Sequence, residues 1–149
     1  MTTPFEDDEA LAAIARGVAD LSLPKPLWTH SAHFACALWL LRHETDEPAE
    51  RRMPPMIRAY NEATGVPNTD TDGYHETITL ASIAAARAGL AAYPPDAPLH
   101  VVHAALMAGP LGGSGWILAY WSKDRLFSPQ ARRMWVEPDL APFSPQGLA

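Results

Sequence analysis

The apolar residues of this chain recur at helical steps almost throughout, while alternating β-branched runs of the kind strands need are nearly absent. Leu11, Ile14, Ala15 and Val18 form one stripe on a helix predicted over about Asp7 to Asp20, with acids in its first turn. Pro24 and Pro26 separate it from a second helix, about Leu27 to His43. There Trp28, Phe34, Leu38, Trp39 and Leu41 leave almost no polar side, which places it in the centre of a bundle. A charged connector, Glu44 to Arg52, leads to Pro54-Pro55 in the first turn of a helix over Met56 to Thr64, which Gly65 stops. Met56, Ile57 and Tyr60 make its inner face.

After the polar segment Pro67 to Gly73, a fourth helix is predicted from about Tyr74 to Ala92, ended by Pro94-Pro95, with an Ala-rich surface that permits close packing. A fifth runs from about Leu99 to Met107, and the Gly-rich stretch Gly112 to Gly115 then reads as a mobile linker to the apolar segment Trp116 to Trp121. Ser128-Pro129 has the form of an N-cap followed by proline in the first helical position, and starts a short helix through about Trp135. Beyond Pro138 the tail is too proline-rich to be helical. With no internal repeat and no second core in the pattern, the expectation is an all-α fold: one domain over residues 1–149, a compact bundle of about five helices plus a short C-terminal helix.

Composition narrows the partners. At 149 residues the chain can bury a substantial core, but only 19% of residues are charged, so much of the helical surface must pack against something, within the bundle or across a homodimer. A net charge of −6 with scattered basic residues argues against nucleic acid. The longest uncharged apolar run, Phe34 to Leu41, is far shorter than a membrane span needs, and the acidic stretch Glu6 to Glu9 lacks the order of a secretory signal, so a cytoplasmic protein without a membrane partner is expected. Cys36, the single cysteine, lies in an apolar run and reads as a small buried hydrophobe rather than a nucleophile.

Chemistry concentrates in two places. His30 and His33 are three apart, so on a helix they occupy neighbouring positions on the stripe that continues as Phe34, Ala37, Leu38 and Leu41. Imidazoles aimed at an apolar face suit metal binding or proton transfer; taken alone, the pair is better explained as core residues hydrogen-bonded to carbonyls or a neighbouring helix. At the start of the fourth helix stand Tyr74, His75, Glu76 and Thr77. Projected as a helix, His75 and Glu76 fall on the two shoulders of the face marked by Ile83, Leu90 and Tyr93, with Thr79 between them. An inward carboxylate asks for a partner, and His30 and His33, or a cation they hold, would supply one. The expected site therefore has His30, His33, His75 and Glu76 as metal ligands, for Fe, Zn, Mn or Ni, and Tyr74, His75 and Glu76 as the catalytic groups. Glu76 is equally explained by a helix start with Asp72 as N-cap and Thr77 and Thr79 facing polar neighbours.

Other features carry less. His100 and His103 repeat the spacing at the edge of a stripe formed by Leu99, Val102 and Leu106, and read as boundary residues. There is no H-E-x-x-H, no E-x-x-H pair and no phosphate-binding glycine loop, and Gly112-Gly113-Ser114-Gly115-Trp116 departs from a nucleophile elbow at Trp116.

Three segments together resemble a group of uncharacterised bacterial helical proteins: Trp28-Thr29-His30-Ser31-Ala32-His33-Phe34 (aromatic-x-H-x-x-H-[LF]), Tyr74-His75-Glu76-Thr77-Ile78-Thr79 (Y-H-E-T-x-T), and Leu126-Phe127-Ser128-Pro129 leading to Pro138-Asp139-Leu140. The resemblance implies that His30, His33, His75 and Glu76 belong to one shared pattern, outside which His100 and His103 fall. Two functions follow as expectations. One is an enzyme or small-molecule binder, metal-dependent or working by direct proton exchange, with a buried His/Glu site; the other is a non-catalytic helical interaction module, such as a homodimer.

Overall fold

The computed structural model describes residues 5–148. Its secondary structure over that range is helical, without strands, and five longer helices pack as a bundle: α1 (Asp8–Ala19), α2 (His30–Arg42), α3 (Ala49–Ala63), α4 (Glu76–Ala91) and α5 (Leu99–Ala108). Two short helices, α6 (Lys123–Leu126) and α7 (Pro129–Arg133), close the C-terminal part. No helix among the described residues is long and apolar enough to cross a membrane.

The central helix is α2, as its apolar circumference demands: Phe34, Ala35, Cys36, Ala37, Leu38 and Leu40 are all within 1% of complete burial, and α1, α3, α4 and α5 all pack on it. Burial pushes the Cys36 thiol up to about 12, in keeping with an inert core residue. Helix α2 begins later than the periodicity suggests. Thr29 accepts the Ala32 amide as N-cap, and Lys25 to Leu27 form a 3-10 turn, so Trp28 lies before the helix.

Helix α3, in contrast, starts well upstream of its prolines. Pro48 offers no side-chain cap, but Glu44 Oε2 accepts the Ala49 amide (2.8 Å), and Arg87 of α4 holds Glu44 and Glu50 together (Nη1 to Glu44 Oε1 2.9 Å, Nη2 to Glu50 Oε1 2.7 Å). The connector read as a loop is thus partly helix, and Pro54 and Pro55 lie inside α3, where they remove two amide donors from its ladder. The Ala-rich face of α4 does allow close approach: Ala81, Ala85 and Ala86 are fully buried, and a Cβ on Gly89 would stand 2.7 Å from Leu106 Cδ2 of α5.

Beside the main core lies a second, smaller cluster made by Ala81, Ile117, Trp121, Leu126, Ala131 and Val136, continuous with the first through Trp116, Tyr120 and Phe143. Apolar periodicity did not announce it, because its members other than Ala81 of α4 come from a 3-10 turn, four- and five-residue helices and irregular chain. Ser128 does cap α7, accepting the Ala131 amide, with Pro129 in the first turn; the helix ends at Arg133 rather than near Trp135.

Candidate functional site

Helices α2 and α4 face each other across a cavity of about 330 Å³. From α2 it is lined by His30, His33, Phe34 and Ala37, from α3 by Met53 and Ile57, from α4 by Ile78, Thr79, Ser82 and Ile83, and from the Gly-rich stretch by Ser114 and Trp116. Among the described residues no Asp, Glu, Lys or Arg reaches it. The polar side-chain groups of its lining are two imidazoles, three hydroxyls and the Trp116 indole on otherwise apolar walls, the usual make-up of a small-molecule pocket.

Both imidazoles are held by backbone carbonyls. The His30 Nε2–H donates to Leu111 O (2.7 Å), a residue 81 positions away, and its ring meets Phe34 edge-on at 5.2 Å. The His33 Nδ1–H donates to Thr29 O (2.7 Å), and its ring stacks on Trp28 at 3.8 Å. Trp28 is itself wedged against Tyr60, whose hydroxyl donates to Leu23 O (2.7 Å). A carbonyl can only accept, so each neutral ring keeps its proton on the bonded nitrogen and leaves a lone pair on the other. Burial holds His33 down to about 4, with the neighbouring His30 adding to the effect, so His33 is neutral and a weak base at neutral pH.

The segment carrying Leu111 and Ser114 is anchored, which departs from the mobile linker expected there. Leu111 is fully buried, and Gly112 passes so close to α5 that a Cβ would stand 1.9 Å from Met107 O. Only glycine fits.

His75 and Glu76 do not enter this cavity. The backbone at His75 is extended (φ −135°, ψ 109°), because His75, not Asp72, is the N-cap of α4: its Nδ1 accepts the Ile78 amide (3.1 Å). Its Nε2–H donates to Leu126 O (2.6 Å), so both ring nitrogens are engaged. Burial lowers its pKa and keeps it neutral. The Glu76 carboxylate accepts the Tyr74 hydroxyl (2.5 Å), while Arg58 lies 4.3 Å over the Tyr74 ring. Burial and the adjacent Glu76 carboxylate push the Tyr74 phenol up, so it stays a donor.

Thr77 is fully buried, and its polar neighbours are backbone groups of the C-terminal segment. Its hydroxyl lies 2.8 Å from Ala131 O and 2.9 Å from Met134 O, and accepts the Val136 amide (3.2 Å). Arg132 Nη1 in turn donates to Gly73 O (3.0 Å). The Tyr74 to Thr77 motif is therefore the seat of the C-terminal segment Leu126 to Val136.

The four residues expected to share a metal divide into two places: His30 and His33 on the cavity, His75 and Glu76 on the seat. Among the described residues no group of three or more His, Cys, Asp or Glu is placed to hold a metal ion. The helical projection put His75 and Glu76 on the shoulders of the inner face with Thr79 between them, and Thr79 is the one that reaches the cavity. A helix wheel does not apply to a residue whose backbone is extended. Ser82, one turn after Ile78, carries the same periodic signal; nothing local in the sequence points to Ser114 or Trp116.

His103, read as a boundary residue, is 2% exposed and donates from Nε2 to Ser31 O (2.8 Å). His100 does sit at a boundary, where Asp8 Oδ1 accepts both its ring Nδ1–H (2.6 Å) and its backbone amide (2.8 Å), serving the uncapped start of α5.

Comparison of the chain with protein-family models, with curated proteins and with solved structures returns no match.

Proposed function

We propose that the cavity between α2 and α4 binds a neutral, largely apolar small molecule through a hydrogen-bond donor that meets His30 or His33. The observation that carries this reading is the lining itself: two imidazoles whose bonded nitrogens are fixed by carbonyls, in a cavity that no described Asp, Glu, Lys or Arg lines. An anionic ligand would enter without a counter-charge, at a high desolvation cost. A hydroxyl or N–H donor finds lone pairs already oriented, with Thr79, Ser82 and Ser114 as secondary partners. Because His33 is a weak base, it accepts a hydrogen bond rather than removing a proton, which favours binding over general-base catalysis at that ring.

The test is a ligand-observed NMR titration with neutral alkylphenols and the matching benzoates. Saturable phenol binding, absent for the benzoates and abolished by Ser82→Phe, which fills the cavity, is expected. Benzoates binding as well as phenols, or phenols binding Ser82→Phe unchanged, would overturn it.

One observation favours a second reading. Imidazoles that ligate metals commonly donate their other N–H to a carbonyl, as His30 and His33 both do. In that reading the pair supplies two ligands to Fe, Zn, Mn or Ni, and water or substrate supplies the rest. A rise in melting temperature on adding one of these ions, lost in His30→Ala, supports it; an unmoved melting temperature refutes it.

A further inference from the structure

On the far side of the Tyr74 motif, a separate pocket of about 260 Å³ is lined by Arg58, Arg132 and Arg133 together with Asn68, Asp70 and Tyr74. In a chain of net charge −6, three guanidiniums converge here against one carboxylate. That carboxylate is already engaged at the rim: Asp70 takes the Arg133 fork in two-pronged fashion, through Nε (2.7 Å) and Nη2. Arg58 and Arg132 are left without an anionic partner among the described residues. Arg58 is turned over the Tyr74 ring, and the half-buried Arg132 spends Nη1 on the Gly73 carbonyl while its Nε, screened from solvent, has no hydrogen-bond partner.

The opposite wall is built in advance. Asn68 accepts the Tyr74 amide on Oδ1 (2.9 Å) and donates from Nδ2 to Arg58 O (3.0 Å), and Thr69 Oγ1 accepts the Asp72 amide (3.1 Å). Little ordering is needed on binding.

We infer that this pocket binds a small oxyanion, a phosphate or carboxylate group, between Arg58 and Arg132, with the Asp70–Arg133 pair as its rim. Planar guanidiniums suit both anions, and Asp70, as the resident carboxylate, opposes them electrostatically. The site is independent of the α2–α4 cavity.

The test is calorimetric titration of the whole protein with inorganic phosphate and, separately, acetate, against sodium chloride at equal ionic strength. Saturable binding of at least one of the two anions, but not of chloride, is expected, and the anion that binds names the group recognised. Arg58→Gln, an exposed position, should weaken that binding by about five-fold or more, since a charge-assisted pair is lost. Asp70→Asn should tighten it about three-fold by removing a like charge. Circular dichroism confirms that both variants fold. Absence of saturation for both anions, or equal affinity in wild type and Arg58→Gln, overturns the inference.

Discussion

Thr77→Val isolates the attachment of the C-terminal segment to the bundle. Valine nearly matches threonine in shape and volume, so the substitution opens no cavity; what disappears is one hydroxyl. That hydroxyl is fully buried, serves the Ala131 and Met134 carbonyls in turn, and accepts the Val136 amide. Its loss costs the hydrogen bonds themselves, about 1 kcal/mol each net, and leaves a buried amide without an acceptor, for about 1–3 kcal/mol more. Burying a methyl in place of a hydroxyl returns about 1 kcal/mol or less. The balance is about 2–4 kcal/mol of destabilisation, a fall of about 4–16 °C in melting temperature for a domain of this size. Urea unfolding followed by circular dichroism and tryptophan fluorescence measures it, since Trp121 sits in the affected cluster and donates to Val136 O (2.9 Å). Thr77→Ser keeps the hydroxyl and loses only a methyl, and should fall by about 1 kcal/mol. If Thr77→Val matches wild type, or is more stable than Thr77→Ser, the motif is not the seat of the C-terminal segment.

Three further outcomes are expected. Stability should fall as pH drops below the ordinary histidine value of 6.5. His33, His75 and His103 are all lowered by burial, so the unfolded chain binds more protons across that window. For His33 alone the loss is about 2 kcal/mol, after allowance for its partial exposure, and urea midpoints at pH 7.5 and 4.5 should differ less in His33→Gln than in wild type. Gly112→Ala should destabilise by about 1–3 kcal/mol, because the added Cβ meets the Met107 backbone and not a flexible side chain; thermal melts that leave it at wild-type stability would contradict the packing described. Glu44→Gln should lower stability by about 0.5–1 kcal/mol, since the Arg87 ion pair is partly exposed while the Ala49 amide keeps an acceptor, and a double-mutant cycle with Arg87→Met measures the coupling.

Local information in the sequence determined the helices and their inner faces. Leu11, Ile14, Ala15 and Val18 are buried as their spacing requires, α2 is central because it has no polar side, and Ser128-Pro129 starts a helix because an oxygen acceptor and a fixed φ suffice there. The same periodicity placed His30, His33 and Thr79 on the walls that meet. What tertiary structure decided was the partner of each polar group. His30 finds a carbonyl 81 positions away, His103 one 72 away and His75 one 51 away, and no spacing rule encodes such pairings. A helix continued through His75 puts its ring on a shoulder of the inner face, whereas competition for the first amides of α4 draws the ring into the cap and leaves its backbone extended. A periodic pattern fixes the direction of a side chain only while the backbone repeats; at a helix end, the unsatisfied N–H and C=O groups and the chain that reaches them choose the geometry.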